Sequence, residues 1–321
     1  MTAASDILVI RLGAMGDIVH ALPAVATLKH SHPRSRVCWA VDPKWVQLLE
    51  GNPFVDEVLP LPRRSFSDAL RSWRLLRAHR FDLAIDFQGL MQSGLAASAA
   101  RPDRIVGFHH TQLRERAAAF FYSLAVQAKS AHVVDRNIEV ATAAGASNVT
   151  LRFPIPAGAA EGDLPDGDFV LASPLAGWAA KQWPMEHYAA LAQALRRKGL
   201  HLVLNGTEAA RPLLQIEGAW VHCSGLPGLI DATRRAAAVV GVDSGPLHLA
   251  AALGKPGVAV FGPTDPARNG PYGGTISVLR DPGAVTSYKR RDEIDPSMRA
   301  VRPGQVLAAL EARMTVERIT P

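Results

Sequence analysis

Apolar and polar positions along this chain change rhythm repeatedly. In the first half, the runs ILVIRL, RVCWAVD, EVLPLP, LAIDF and RIVGF predict strands with little exposed face. Between them the period lengthens. Ser65–Arg80 carries Phe66, Ala69, Leu70, Trp73 and Leu76 at the i, i+3, i+4, i+7 spacing of an amphipathic helix. From Leu151 to Asp168 the chain becomes rich in Pro, Gly and acidic residues, which predicts a linker. A second alternation follows, with FVLASPL, HLVLNG, AWVHC, AVVGVD and GVAVFG as strands, and GQVLAALEARM after Pro303 predicts a closing helix. Repeated strand–helix units imply parallel sheets covered by helices on both faces. Two such halves are expected to bind ligands in a cleft between the carboxyl ends of their sheets. Neither an internal repeat nor a low-complexity tract interrupts the pattern.

Composition narrows the class. A chain of 321 residues suits two domains, and 48% hydrophobic with 20% charged residues is globular composition. No run approaches the ~18 apolar residues of a membrane helix, and no basic segment leads into a short apolar one as in a secretory signal. A cytoplasmic protein is expected. Cys38 and Cys223 lie far apart inside strand-like runs, so they read as buried thiols and not as a disulfide or metal site. The net charge of +6 and a pI of about 9.6 favour an anionic partner: nucleic acid, an anionic lipid head group or a phosphorylated substrate. The Arg-rich stretches lack the interleaved aromatics of a stacking platform, and no helix-turn-helix or zinc spacing occurs, which counts against nucleic acid.

The first stretch with chemical content is RLGAMGDIVHALPA, residues 11–24, between a strand and a helix. Gly13 and Gly16 permit a tight turn and close approach to the backbone. The spacing is not G-x-G-x-x-G, and no P-loop lysine follows. Asp17 would repel an anionic cofactor held directly by this turn. It reads either as a helix N-cap or as a general base at the mouth of an α/β crevice.

The second is VVGVDSGPLHLAAALGKPGVAVFGPTDP, residues 239–266. Asp243, Ser244 and Gly245 end a strand and open a helix whose Pro246 suits the first helical position. Such an N-terminus offers free N–H groups and partial positive charge to a pyrophosphate, and His248 can add a donor; ordinary capping explains the same residues. Upstream, KQWPMEHY places Lys181 between a strand and a helix, at the same sheet edge if both loops share it. Trp178 and Trp183 flank it and can hold its stem, although a solvated loop lysine is the plainer alternative. The one D-x-D, Asp166-Gly167-Asp168, lies in the linker and reads as a turn, so no metal site is expected.

Taken together, RLGAMGDIVHALPA, KQWPMEHY and GVDSGPLHLAAALGKPGVAVFGPTDP resemble the bacterial lipopolysaccharide heptosyltransferases, glycosyltransferase family 9. LPLPRRSF, SWRLLRAHRFDLAIDFQGLMQSG and RERAAAFFYSL look most like its heptosyltransferase I branch. The resemblance implies an α/β chain of GT-B fold, two Rossmann-like domains facing a central cleft. The acceptor-binding domain would span 1–158, rejoined by a C-terminal helix at about 303–321, and the nucleotide-sugar domain 159–302. It further implies inverting transfer of a heptose from ADP-heptose, a substrate and not a cofactor, to the Kdo of lipid A inner core; without a convincing acidic ligand pair in the sequence, that transfer is expected to be metal-independent. The enzyme would sit peripherally on the cytoplasmic face of the inner membrane. Asp17 would be the catalytic base. Lys181 would act in catalysis at the donor, and Gly13, Gly16, Glu208, Asp243, Ser244, Gly245 and His248 would bind that donor. Arg63 and Arg64 would receive the anionic acceptor. Where the heptosyltransferase I branch has adjacent threonines before the Lys motif, this chain has Ala176 and Gly177, so those hydroxyl contacts are missing. Other GT-B activities, another sugar transfer or a nucleotide-sugar epimerisation, would use the same motifs.

Overall fold

A computed structural model describes residues 5–319, with side chains described to Thr315. The chain divides into two compact units, 1–156 and 157–321.

The first unit contains β1 (Asp6–Ile10), α1 (Met15–Ser31), β2 (Arg36–Val41), β3 (Glu57–Pro60), α2 (Phe66–Arg77), β4 (Leu83–Asp86), α3 (Met91–Ala99), β5 (Arg104–Phe108), β6 (Leu124–Val126) and α4 (Val133–Ala143). Its strands are all parallel, in the order β3-β2-β1-β4-β5-β6. The second unit contains β7 (Phe169–Ala172), α5 (Met185–Arg196), β8 (His201–Gly206), α6 (Arg211–Leu214), β9 (Ala219–Cys223), α7 (Leu226–Arg235), β10 (Ala238–Val242), α8 (Gly245–Ala252), β11 (Gly257–Phe261), α9 (Pro266–Asn269), β12 (Ile276–Arg280), α10 (Pro296–Ala300) and α11 (Pro303–Ile319). Its order, β12-β11-β10-β7-β8-β9, is again all parallel, and it repeats the first topology.

Parallel strands covered on both faces read as continuous apolar runs. Ile7–Ile10 of β1 and Val37–Val41 of β2 are fully buried, as the sequence implies. The strands that escape the sequence reading, β6 and β12, lie at sheet edges. Cys38 is buried in β2, and burial pushes its thiol up to about 12. Cys223, at the end of β9, is only partly buried, contrary to expectation.

Three further expectations are corrected. The stripe Phe66, Leu70, Trp73 on α2 faces outward; the helix packs inward through Leu76, with Leu75 and the Ser72 hydroxyl, which donates to Pro62 O at 2.8 Å. The second correction concerns α11. Val306 and Leu310 complete the apolar core of the second unit, beside α5, β11 and β12, where the expectation joined this helix to the first.

The third concerns the linker, whose latter part is strapped to the second unit. Ala159 N donates to Pro227 O at 3.1 Å, His222 Nε2 to Glu161 O at 2.6 Å, Gly225 N to Glu161 Oε2 at 2.7 Å, and Trp220 Nε1 to Asp163 O at 3.0 Å. His222 on β9 is buried and needed a partner, which this irregular segment supplies; its bonds to the exposed Trp220 and Gly225 fix the segment in place. Gly162 makes this possible: its φ is +62°, and a Cβ there would stand 2.6 Å from Cys223 O.

Candidate active site

In each unit the strand order reverses between two hydrogen-bonded neighbours, β1 and β4 in the first, β7 and β10 in the second. Connections diverge there to opposite faces, opening a crevice at the carboxyl ends where α/β sheets bind ligands. Gly13, Gly16 and Asp17 fall at the first point and Lys181, Asp243, Ser244, Gly245 and His248 at the second, whereas Arg63 and Arg64 follow β3 and Glu208 follows β8.

In the first unit, Asp17 follows β1 in the first turn of α1. Its Oδ2 accepts from Ala14 N at 3.0 Å: Ala14 holds the N-cap expected for Asp17, and the aspartate, at the third helical position, reaches back to that residue's N–H. Its Oδ1 pairs with Arg11 Nη2 at 2.7 Å, a guanidinium the sequence reading missed. Arg11 is buried at the end of β1, where Nη1 also donates to Phe87 O and the residue's own carbonyl accepts from Trp39 Nε1 at 3.2 Å. The aspartate is thus fixed from two sides while its side chain stays 43% exposed, accessible to a second molecule. Gln88, in the loop after β4, steadies the turn by accepting from Leu12 N at 3.0 Å and Gly13 N at 3.3 Å. A Cβ on Gly13 would lie 2.9 Å from Trp45 Nε1, so glycine lets that indole close over the turn. Gly16 is buried in the first turn of α1.

Beneath this loop, fully buried Asp86 at the end of β4 accepts from Ser93 Oγ and Tyr122 Oη, both at 2.7 Å, and from Gln88 N and Gly89 N. Burial pushes its carboxyl up even with these donors in place. Arg63, after β3, bonds Asp42 at 2.9 Å from the loop after β2. Burial works against the Asp42 charge, yet the Arg63 bond and the Lys44 amide hold its carboxyl below the usual range. Arg63 is therefore partly committed, whereas the Arg64 side chain is exposed.

In the second unit, Lys181 comes from a short turn after β7 and reaches the end of β10. Its Nζ donates to Asp243 Oδ2 at 2.9 Å and lies 4.8 Å from the Trp178 ring centroid. His248 Nε2 stands 3.5 Å from Asp243 Oδ1. Burial alone would raise the Asp243 carboxyl; the His248 bond and the Lys181 charge overcome it and hold the group well below the usual range. The ammonium is pinned through one of its donors and keeps others. Trp178 holds the lysine as expected, with the Arg290 guanidinium 5.6 Å from the same ring. Trp183 does not: it is buried in the core and donates to Val301 O at 2.9 Å.

Ser244 occupies the N-cap of α8, but its hydroxyl is buried and makes no hydrogen bond, and the same is true of Thr264 just beyond β11. Because β10 and β11 are hydrogen-bonded neighbours, both hydroxyls belong to one stretch of the carboxyl edge, beside the N-terminus of α8 and Gly245. Sequence reasoning passed over Thr264, although it stands inside the quoted FGPTDP. Glu208, after β8, is exposed and doubly bonded to Arg211 at 2.6 and 3.0 Å, which lowers its carboxyl. Ala176 O accepts from Gln182 Nε2 at 3.3 Å, and Gly177 is open to solvent. Among the described residues, no group of three His, Cys, Asp or Glu side chains is arranged to hold a metal ion. Asp166 and Asp168 are exposed on the turn before β7.

Residues 69–296 match the family model "Glycosyltransferase family 9 (heptosyltransferase)". The chain is 30% identical to lipopolysaccharide heptosyltransferase 1 of Escherichia coli K12 over 314 residues, covering 86% of this chain and 93% of that protein. It is 28% identical to lipopolysaccharide heptosyltransferase 2 of Salmonella typhimurium LT2, covering 98% and 99%. Among solved structures, E. coli heptosyltransferase WaaC with ADP superposes with a TM-score of 0.77 at 25% identity, covering 96% of this chain and 99% of that one.

Proposed function

This chain belongs to glycosyltransferase family 9, the heptosyltransferases, and from that membership we propose that it adds the first heptose of the lipopolysaccharide inner core, from ADP-heptose to a Kdo hydroxyl. It is a glycosyltransferase of GT-B fold acting in lipopolysaccharide core synthesis. The finer reading, type I transfer to Kdo, is supported by the RRSF stretch after β3 and the relatives named for heptosyltransferase 1.

The observation that carries the chemistry is the Lys181–Asp243–His248 group beside the unpartnered Ser244 and Thr264 hydroxyls. A departing ADP gains negative charge. A half-buried cation held in place, a helix N-terminus and two hydroxyl donors stabilise such charge without reorganising. In this reading Ser244 and Thr264 take the place of the threonines absent at Ala176 and Gly177. Gly245 lets the diphosphate approach the α8 backbone, and Glu208 receives the ribose or adenine, exchanging its bond to Arg211. Asp17 takes the proton of the attacking hydroxyl as the C1–O bond to ADP breaks and the new glycosidic bond forms with inversion. The sugar passes through an oxocarbenium-like state, as in glycoside hydrolysis. In this reading Gly13 and Gly16 serve donor binding through the side-chain-free backbone of the turn that carries Asp17. Arg63 and Arg64 hold the acceptor's carboxylate or phosphate. We infer neither a cofactor nor a metal requirement, and we place the enzyme on the cytoplasmic face of the inner membrane as a peripheral protein. Among the described residues, no helix is long and apolar enough to cross it.

The test is incubation with ADP-heptose and Kdo-lipid A, with and without EDTA, followed by mass spectrometry. A product heavier by one heptosyl group in both conditions supports the reading. Transfer only to an acceptor that already carries heptose would assign the chain to the second step, and loss of activity in EDTA restored by Mg²⁺ would overturn the metal-free mechanism.

A further inference from the structure

Helix α2 has two apolar faces, and only one is used. Leu75 and Leu76 pack inward. On the other side Phe66, Leu70 and Trp73, at i, i+4 and i+7, form one exposed stripe; Phe66 is 86% and Trp73 44% exposed. A helix that buries its apolar stripe in its own core leaves no such face. Nearby elements of the same unit also expose apolar side chains: α3, packed beside α2, exposes Met91 and Leu95, and Phe120 between β5 and β6 is 91% exposed.

The charges around the stripe are one-sided. Residues 63–80 contain six arginines and one acid, Asp68, which is paired with Arg71. Arg77 lies along the stripe, its guanidinium 4.6 Å from the Trp73 ring centroid, and Arg74 sits on the stripe's edge, also exposed. Aromatic and leucine side chains rimmed by arginines form the pattern of a helix lying in the interface of an anionic bilayer: the apolar face enters the acyl boundary while the cations meet lipid phosphates. An exposed apolar stripe marks a protein or a membrane partner, and its one-sided rim of arginines favours the anionic bilayer.

We propose that α2 is the membrane-docking element of this protein, with Phe66, Leu70 and Trp73 entering the outer part of an anionic leaflet and Arg74 and Arg77 contacting its phosphates. The inference rests on the peripheral-membrane reading above and names the surface responsible. The Arg63–Arg64 pair at the carboxyl end of β3 leads directly into α2. Docking through this helix therefore brings the acceptor-binding arginines to the level at which a lipid-borne sugar leaves the bilayer.

The test uses the full chain with vesicles of phosphatidylcholine alone or with 30% phosphatidylglycerol, in roughly that proportion, and no acceptor present. Wild type should sediment with the anionic vesicles, less so as salt rises. Arg74→Gln with Arg77→Gln should lower the partition coefficient about 30-fold, roughly fivefold per arginine. Phe66→Ser with Trp73→Ser should lower it at least about tenfold. Both variants should keep the wild-type melting temperature and normal transfer to a water-soluble, deacylated acceptor, because these side chains lie outside the site, yet lose transfer to vesicle-borne acceptor. If wild type binds anionic vesicles and both variants bind equally well, docking uses another surface and this inference falls while the peripheral reading stands. If wild type does not bind anionic vesicles, both fall. Self-association of wild type in analytical ultracentrifugation that is abolished in Phe66→Ser with Trp73→Ser, without vesicle binding, would assign the face to a second copy and overturn the proposal.

Discussion

Replacing Asp17 with Asn separates the two roles that one carboxylate combines. Asn keeps the side-chain oxygen that accepts from Ala14 N, so the start of α1 survives. Two things are lost: the negative charge facing Arg11 and the ability to accept a proton. Arg11 is buried and retains its bond to Phe87 O, but Asp17 is 43% exposed, so the pair is worth far less than a fully buried one. A cost of about 1–2 kcal/mol follows, which lowers the melting temperature by about 2–8 °C for a unit of this size. Losing a general base costs roughly 10²–10⁴ in kcat, about 2.7–5.4 kcal/mol of barrier. The measurements are therefore a thermal melt and a coupled assay for ADP release, with donor affinity by calorimetry as control. The expected result is a modest fall in melting temperature, kcat down by two to four decades and donor Kd within about twofold of wild type. A variant that melts early but turns over at near-normal rate would refute the base assignment and leave Asp17 as a cap and ion-pair partner.

Lys181→Ala should lose about 2–4 kcal/mol of transition-state stabilisation, read as kcat/KM, and a loss below about threefold would remove the lysine from leaving-group stabilisation. Arg64→Ala should raise the acceptor KM and weaken its salt dependence while the donor KM stays put; Arg63→Ala should do less to the acceptor, since Arg63 is partly committed to Asp42, and a change confined to the donor KM would reverse the assignment. Ser244→Ala with Thr264→Val should raise the donor KM several-fold without lowering the melting temperature, because neither hydroxyl has a bond to lose in the free protein; a melting loss without a kinetic effect would make both structural. Cys38, with its thiol held near 12, should resist alkylation across pH 7–9 in the native protein while Cys223 reacts, as peptide mapping after iodoacetamide would show; equal labelling would contradict the burial of Cys38.

Legibility in the sequence followed burial. Strands covered on both faces, such as Ile7–Ile10 and Ala238–Val242, announce themselves as apolar runs. The edge strands do not: β6 is three residues long and largely exposed, and β12 carries Ser277 and Arg280 among its apolar residues. Periodicity found α2 but not its outward face, because a helix apolar on two sides gives the same spacing whichever side packs. The linker was read from Pro, Gly and acidic residues, a composition that also fits a strap whose backbone satisfies a neighbour's polar groups. At the site, Lys181, Asp243 and His248 could be brought together because parallel strands share a carboxyl edge. Arg11 could not, since its role depends on the turn folding back so that Asp17 meets the end of its own strand. Trp183 went wrong for a related reason: sequence adjacency to Lys181 says nothing of which way a side chain points, and its indole is committed to Val301 O.

The strap also decides where this chain can be spliced. Thr150 is tied to Thr27 of the first unit through both its N–H and its carbonyl, whereas from Ala159 onward the backbone bonds to β9 and α7. A hybrid enzyme that trades one half for a relative's should therefore be joined between Thr150 and Ala157, so that the strap travels with its seat. A junction at Phe169, where the first strand of the second unit opens, would leave the buried His222 without the carbonyl it donates to and strip Gly225 of its carboxylate. The orphaned His222 costs on the order of 1–3 kcal/mol, whereas the exposed Gly225 can turn to water, so the junction's loss of stability comes from the histidine.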